Sequence, residues 1–444
     1  GNADTVGVFQ IESRAQMAML PRLRPVCFYD LVIEVAIVRP GPIQGDMVHP
    51  YLKRRQGHEA VTYPNEAMRQ VLGRTLGVPI FQEQVIKLAV VAAGFTPGEA
   101  DSLRRAMGAW RRHGNLSDYE EMLVNGMRER GYPEAFAKQI YRQILGFGEY
   151  GFPEAHAASF ALLVYVSAWL KYYQPAAFTC ALLNSQPMGF YAPAQLIQDV
   201  RRHGVQVKPI DVTVSDWEST LEQSGETLAL RLGLHMINGF SQTGAARLLN
   251  ARADRAFRDL QDFAQRTRLN KTDLQALAAA NAFMALVRSH RKMAYWEVAG
   301  ISPPTPILNR TYFNEGTPMI PKATPVDDVH ADYASIGLTL GPHPLALIRP
   351  ILYGLGLSTR EELYRQSHGQ AAKVAGLVIA RQRPASANNV TFVTLEDETG
   401  NINLVVWKKI AEQYASILLG SYLISASGEI QREGDILHLV TDQL

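Results

Sequence analysis

Residues 146–156 read Gly-Phe-Gly-Glu-Tyr-Gly-Phe-Pro-Glu-Ala-His, GFGEYGFPEAH. The first six positions fit G-x-G-x-x-G, the fingerprint of a dinucleotide-binding turn. That fingerprint carries meaning only where a strand leads in and a helix leads out, inside a βαβ unit. The preceding YPEAFAKQIYRQIL places Phe136, Ile140 and Ile144, with Tyr141 and Leu145, at helical spacing, and nothing alternates with period two. A helix therefore enters the glycines, and a Rossmann turn is excluded. After the glycines a second helix begins: Pro153 suits a first turn, Glu154 suits its positive end, and Ala157, Ala158 and Ser159 leave it accessible. A glycine loop feeding a helix N-terminus can hold an anion without any sheet, with Gly148 and Gly151 permitting close backbone approach beside His156. Equally, the glycines serve only a tight turn and His156 is a satisfied interior histidine.

Outward from this stretch, the chain of 444 residues is long enough for two to four domains at roughly 100–200 residues each. Hydrophobic content of 47% supports buried cores, and a net charge of +2 leaves no global basic field, so nucleic-acid contact must come from local patches. The two cysteines, Cys27 and Cys180, lie far apart without metal-ligand spacing, which argues against a disulfide framework and for a reducing, cytoplasmic setting. The longest uncharged run, 157–170, would span about 21 Å as a helix, short of a ~30 Å hydrocarbon core. It is expected to be a buried helix, with no membrane association. The start at Gly1-Asn2-Ala3, without Met, suggests part of a longer protein.

Residues 1 to about 185 read as mostly helical. PIFQEQVIKLAVVAAG (79–94) carries a helical stripe ending at Gly94, and TPGEADSLRRAMGAWRRHG (96–114) opens with Thr96 as cap and Pro97 in the first turn. A small β-hairpin with its turn at Ser224-Gly225 is expected within 205–234, followed by two compact helical units at 234–252 and 269–283. Residues 301–330, rich in Pro, Thr and Asn, read as linker. From about 371, runs rich in Val, Ile and Leu with turns at 398–400 and 433–434 predict five strands and one short helix, a Greek-key barrel of OB type. The fold class is thus multidomain and mainly α, with a C-terminal five-stranded β-barrel.

Four patches could carry chemistry. On the helix of LRRAMGAWRRHG, Arg104 and Arg111 share a face, as do Arg105 and Arg112, an arrangement suited either to phosphate or to a solvated surface. The loop and helix start at 146–159 form the second. The third is LHMINGFSQTGAARLL, where Asn238 and Gly239 sit in a hairpin resembling helix-hairpin-helix, with Lys271 in the next helical unit. Ser241 replaces the usual second glycine, and an ordinary helical turn is the other reading. The fourth is the barrel, where Phe392, Trp407 and Tyr422 either stack on bases or fill the core. No D-x-D pair lies on a strand: Asp327-Asp328 falls in the linker and Glu396-Asp397-Glu398 in a turn, so no metal site or catalytic carboxylate is expected within the chain.

GVFQIES (7–13), RPGPI (39–43), FQEQV (81–85), GEADSLRRAMG (98–108) and GFGEYGFPEAHAASFALLVYVSAWLK (146–171) together resemble the fingers of bacterial C-family DNA polymerases, the DNA polymerase III alpha type. AWRR, GFPEAHAASFALL and NSQPMGFY (184–191) resemble the error-prone, ImuC-like branch. The resemblance covers the whole chain. It implies polymerase fingers over 1–220, a helix-hairpin-helix region over 221–300, a linker over 301–345 and an OB domain over 346–444. It implies a PHP domain and a palm with three metal-binding carboxylates N-terminal to Gly1, and therefore Mg²⁺ as the cofactor of the longer protein. Implied partners are primer-template DNA, dNTP, an ImuB-like accessory polymerase protein and, through it, the sliding clamp; no Q-x-x-[LM]-x-F-like clamp peptide lies between hairpin region and barrel. Implied roles are nucleotide binding for Arg104, Arg105, His156, Gly148, Gly151 and Ser159. DNA binding is implied for Arg111, Arg112, Asn238, Gly239, Lys271, Phe392 and Trp407. Departures are Ala155, where Ser is expected, and Ser241. The function implied is the C-terminal portion of an error-prone DNA polymerase acting in translesion synthesis, inactive alone. A replicative alpha subunit or a purely DNA- and partner-binding module remain alternatives.

Overall fold

The computed structural model describes residues 3–38, 45–113, 117–145, 152–189, 191–301, 319–383, 389–433 and 436–444. The first core is helical. It is built from α1 (Arg14–Leu23), α2 (Phe28–Ile37), α3 (Gly45–Arg55), α4 (Glu66–Leu72), α5 (Gln82–Ala93), α6 (Pro97–His113), α7 (Ser117–Glu129), α8 (Glu134–Leu145) and α9 (Glu154–Tyr173). Local chemistry sets their ends. Thr96 and Glu99 exchange hydrogen bonds across the first turn of α6, satisfying donors that a helix start leaves open. Gly94 closes α5 in the left-handed region at φ +76°.

The expectation of a buried helix over 157–170 is corrected. Only a narrow stripe of α9, Ala157, Ala161 and Val164, enters the core, while Leu162, Leu163, Tyr165, Val166, Trp169 and Leu170 are exposed. The small residues allow α9 to lie close along α2, and the large ones project from the other side.

A second core follows: α10 (Pro175–Asn184), α11 (Pro193–Arg202), β1 (Val207–Lys208), β2 (Thr220–Ser224), β3 (Thr227–Arg231), α12 (Gln242–Asp254), α13 (Leu260–Thr267), α14 (Lys271–Ala279), α15 (Met284–Val287), α16 (Arg291–Gly300) and α17 (Pro325–Ile336). β2 and β3 are the expected hairpin, and β1 adds to β3 in parallel. Val6, near the start of the chain, packs into this core. The linker expected over 301–345 is corrected for its described part. Thr324 caps α17, Pro325 occupies its first position and Asp327 returns a bond to Thr324, so Asp327-Asp328 are first-turn residues of a helix. Residues 302–318 lie outside the described residues.

The third unit holds α18 (Pro344–Gly354), α19 (Arg360–Arg365), β4 (Ala371–Gln382), β5 (Thr391–Asp397), β6 (Gly400–Val406), α20 (Lys408–Gln413), α21 (Ala415–Gly420), β7 (Leu423–Glu433) and β8 (Ile436–Gln443). The strands close in the order β4-β5-β6-β8-β7, with β6 and β8 parallel and the other pairs antiparallel. Closure removes sheet edges. It also crowds the backbone: a Cβ at Gly428 would stand 2.1 Å from the Val440 carbonyl oxygen, so only glycine fits where β7 crosses β8. The β5–β6 turn is tied by Asp397, whose Oδ1 accepts from Thr399 N, Thr399 Oγ1 and Gly400 N. Arg349 of α18 grips the adjacent Glu398 with two parallel donors. Mainly helical cores with a terminal five-stranded barrel are the fold class that the sequence implies.

Candidate nucleotide and nucleic-acid interface

The start of α9 is positioned by α5. Gln82 N donates to the Phe152 carbonyl at 3.1 Å, and the Glu83 carboxylate accepts from Glu154 N at 2.9 Å. The next residue of that motif, Gln84, is buried and fully bonded: its carbonyl accepts from Ile80 N and Phe81 N, and its amide donates to Val71 O and Thr75 Oγ1. Glu154 in turn accepts from Tyr29 OH at 2.8 Å and from Arg74 at 3.2 Å, with the Arg74 guanidinium lying 3.8 Å over the Tyr29 ring. Burial and the Glu154 carboxylate push the Tyr29 hydroxyl above the ordinary tyrosine value. An internal carboxylate, Glu83, thus already sits at the helix end where an anion was expected.

His156, one turn into α9, is half-buried between two rings. Phe152 lies 5.2 Å away and Phe160 4.1 Å away, and the imidazole has no hydrogen-bond partner among the described residues. Among the described residues, then, no polar partner satisfies it as the alternative reading of an interior histidine requires. Ser159 is exposed and turns its hydroxyl back onto Ala155 O at 3.0 Å. Gly148 and Gly151 lie outside the described residues.

On α6, Arg104 and Arg105 both reach Asp101 on their own helix, at 2.9 and 3.1 Å, and their side chains remain 39% and 67% exposed. Such surface pairs are worth only ~0.3–0.5 kcal/mol, so a polyanion can displace them. The side chains of Arg111 and Arg112 lie outside the described residues.

At the hairpin, Gly239 adopts φ +78° and nothing crowds its Cβ position. Several donors beside it are spent within the chain. Asn238 gives its backbone N–H to Ser335 O at 2.8 Å and its amide to Ala334 O at 3.1 Å, at the end of α17. Asp273 accepts from Ser241 N and Ser241 Oγ, both at 3.1 Å, beside the start of α12. Lys271 is exposed at the first residue of α14.

On the barrel, Phe392 faces outward and half-buried opposite Val405, while Trp407 is 54% and Tyr422 84% exposed. The outward face narrows along β5. Thr394 and Glu396 are buried, and burial raises the Glu396 pKa against the field of Arg202 from α11.

The one group among the described residues with metal-ligand geometry is Asp4, Asp199 and His203, whose ligand atoms lie within 4.8 Å of one another. Lys171 already fills it, with Nζ 3.0 Å from Asp4, 2.9 Å from Asp199 and 3.0 Å from Val6 O. His203 closes the group from the other side, with Nε2 2.5 Å from Asp4 and Nδ1 2.7 Å from Asp199 O. A resident ammonium and imidazole do not fit a Mg²⁺ site; the group is an ion-pair clasp between the N-terminal segment, α9 and α11.

Missed by sequence reading are Phe9 and Gln10 at a loop tip, Phe160, which with Phe9 extends the ring row at His156, and Asp273, which takes the Ser241 donors at the hairpin. The GVFQIES motif held the first two in view, but only the backbone reveals their exposure.

Residues 1–131 match the finger domain of the bacterial DNA polymerase III alpha subunit, residues 204–293 a helix-hairpin-helix motif, and residues 372–444 an OB-fold nucleic acid binding domain. The whole chain is 58% identical to 44% of the error-prone DNA polymerase of Methylococcus capsulatus and 60% identical to 43% of that of Alkalilimnicola ehrlichii. It is 54% identical to 43% of that of Pseudomonas savastanoi pv. phaseolicola. The chain spans less than half the length of these relatives.

Proposed function

Because this chain belongs to the bacterial error-prone DNA polymerases of the DNA polymerase III alpha type, we propose that it supplies the nucleotide- and DNA-handling half of a template-directed polymerase. The ordered succession of finger, helix-hairpin-helix and OB matches across a chain with relatives at 54–60% identity carries this reading. In the longer protein the primer 3′-oxygen attacks the α-phosphorus of a dNTP, the bond to the bridging oxygen breaks, pyrophosphate leaves and the hydroxyl proton is lost. Mg²⁺ would be held by carboxylates in the portion of the relatives that this chain does not cover, since no group among the described residues fits it; its chemistry is charge neutralisation at the phosphates.

Within the chain, Arg104 and Arg105 would exchange Asp101 for the triphosphate, whose several charges outbid one carboxylate. The ring row at His156 would lie against a base. Phe392 and Trp407 offer the barrel's stacking surface for single-stranded DNA, and Lys271 offers a phosphate contact near the hairpin. Work in damage tolerance alongside an ImuB-like protein and, through it, the clamp accords with the error-prone branch. The test is steady-state incorporation by the full-length polymerase. Arg104→Ala is expected to raise the apparent KM for dNTP by about tenfold, the cost of one charge-assisted phosphate contact; an unchanged KM overturns the assignment.

A further inference from the structure

The loop over residues 4–12 has a strained tip. Ile11 N donates to the Phe9 carbonyl at 2.9 Å, with Gln10 between them at φ +62°. Ile11 N also reaches the Val8 carbonyl at 3.4 Å, closing a tight turn in which Gln10 holds a left-handed φ that is uncommon for any residue but glycine. Such conformations persist only where the surroundings over-determine them, and they concentrate at functional sites. The surroundings here do so. Thr5 Oγ1 closes the loop onto Ile11 O at 2.8 Å, Lys171 holds Val6 O at 3.0 Å, and Tyr191 OH reaches Glu12 O at 3.3 Å. Gly7, at φ +75°, lies so close to α10 that a Cβ would stand 2.7 Å from Leu182 Cδ1.

Between buried Val8 and Ile11, the two tip residues stay within reach of solvent. Phe9 is 37% exposed, and the Gln10 carboxamide has no hydrogen-bond partner among the described residues. Phe9 also ends a row of rings. It meets Phe160 edge to face at 5.4 Å, Phe160 meets His156 at 4.1 Å, and His156 meets Phe152 at 5.2 Å. A ring surface beside one unused amide, which both donates and accepts, is complementary to a flat heteroaromatic ring with polar edges.

We propose that Phe9 and Gln10 form a nucleobase contact, with Phe9 packing on the base and the Gln10 amide bonding its edge, on a backbone locked in place before the base arrives. This rests on the polymerase reading above. The base belongs to a single strand or to a free nucleotide, and the experiment separates the two. The 444-residue chain is irradiated with a single-stranded oligonucleotide carrying one 5-iododeoxyuridine and, separately, with 5-iododeoxyuridine triphosphate, and crosslinked peptides are sequenced by mass spectrometry. The expected result is a crosslink at Phe9 in at least one arm, which identifies the source of the base. Phe9→Ala is expected to cut its yield by about tenfold, as loss of a stacking partner should. Phe9→Leu keeps the loop packed, so an unchanged melting temperature with the same loss of crosslink separates contact from folding. Crosslinks confined to the hairpin or the barrel overturn the proposal and leave the nucleic-acid reading standing. A chain that neither binds nor crosslinks either probe overturns both.

Discussion

Glu34 lies wholly buried on α2, and neither of its carboxylate oxygens has a hydrogen-bond partner among the described residues. Burial pushes its pKa well above the ordinary glutamate value of 4.5, so the fold favours the neutral carboxyl, while the unfolded chain ionises it at lower pH. Stability from such a group is full below the unfolded pKa and is lost as pH rises toward the folded one. Glu34→Gln is neutral at every pH. Its melting temperature should exceed that of the parent at about pH 8 and converge with it near pH 4; a difference independent of pH would contradict this. His203 titrates in the same sense for another reason. Burial opposes its charge, but the Asp199 carbonyl and the Asp4 carboxylate outweigh that and raise its pKa above the ordinary 6.5. The clasp is therefore strongest below that value and weakens as pH climbs through the raised one. His203→Gln should flatten the stability profile between about pH 6 and pH 9, as followed by thermal melts across buffers. Neither residue announces itself in the sequence, because Glu34 sits in an apolar run and the partners of His203 stand up to 199 positions away.

At the scale of elements, internal carboxylates occupy two helix starts where the sequence pattern suggested sites for external anions. Glu83 holds the first N–H of α9, and Asp273 holds Ser241 at the start of α12. Glu83→Gln should cost ~0.3–1 kcal/mol in a denaturation experiment, the usual worth of a charge at a helix N-terminus. Asp273→Ala should cost about 1–2 kcal/mol through the lost bonds to Ser241, while raising duplex affinity at low salt because a negative charge leaves the hairpin. Unchanged stability together with unchanged affinity would show that the carboxylate has no such role. Much of this scale was legible beforehand. Thr96 and Gly94 mark helix ends by chemistry that acts within a few residues, and the Ser224-Gly225 turn places the hairpin for the same reason. The exposure of α9 was not legible, since an uncharged run has the same composition whether neighbours cover it or not. Nor was α17, whose cap lies within a stretch rich in proline.

Among the described residues, three large cores follow one another along the chain, with a small fourth cluster between α18 and β4, yet residues near the start cross between the first two. Val8 packs into the first core and Val6 into the second, while Asp4 pairs with Lys171 and His203. The segment that carries the Phe9 tip is thus held from both sides. Module order was readable because it rests on motifs, whereas this crossing depends on contacts far apart in sequence. The central proposal is that this chain handles DNA and nucleotide for chemistry performed with the rest of a longer polypeptide. The decisive measurement is primer extension, with Mg²⁺ and all four dNTPs, by the 444-residue chain beside the same chain continued through the remaining length of its relatives. Extension by the longer protein alone is the predicted result. Extension by the short chain, or silence from both, would contradict it.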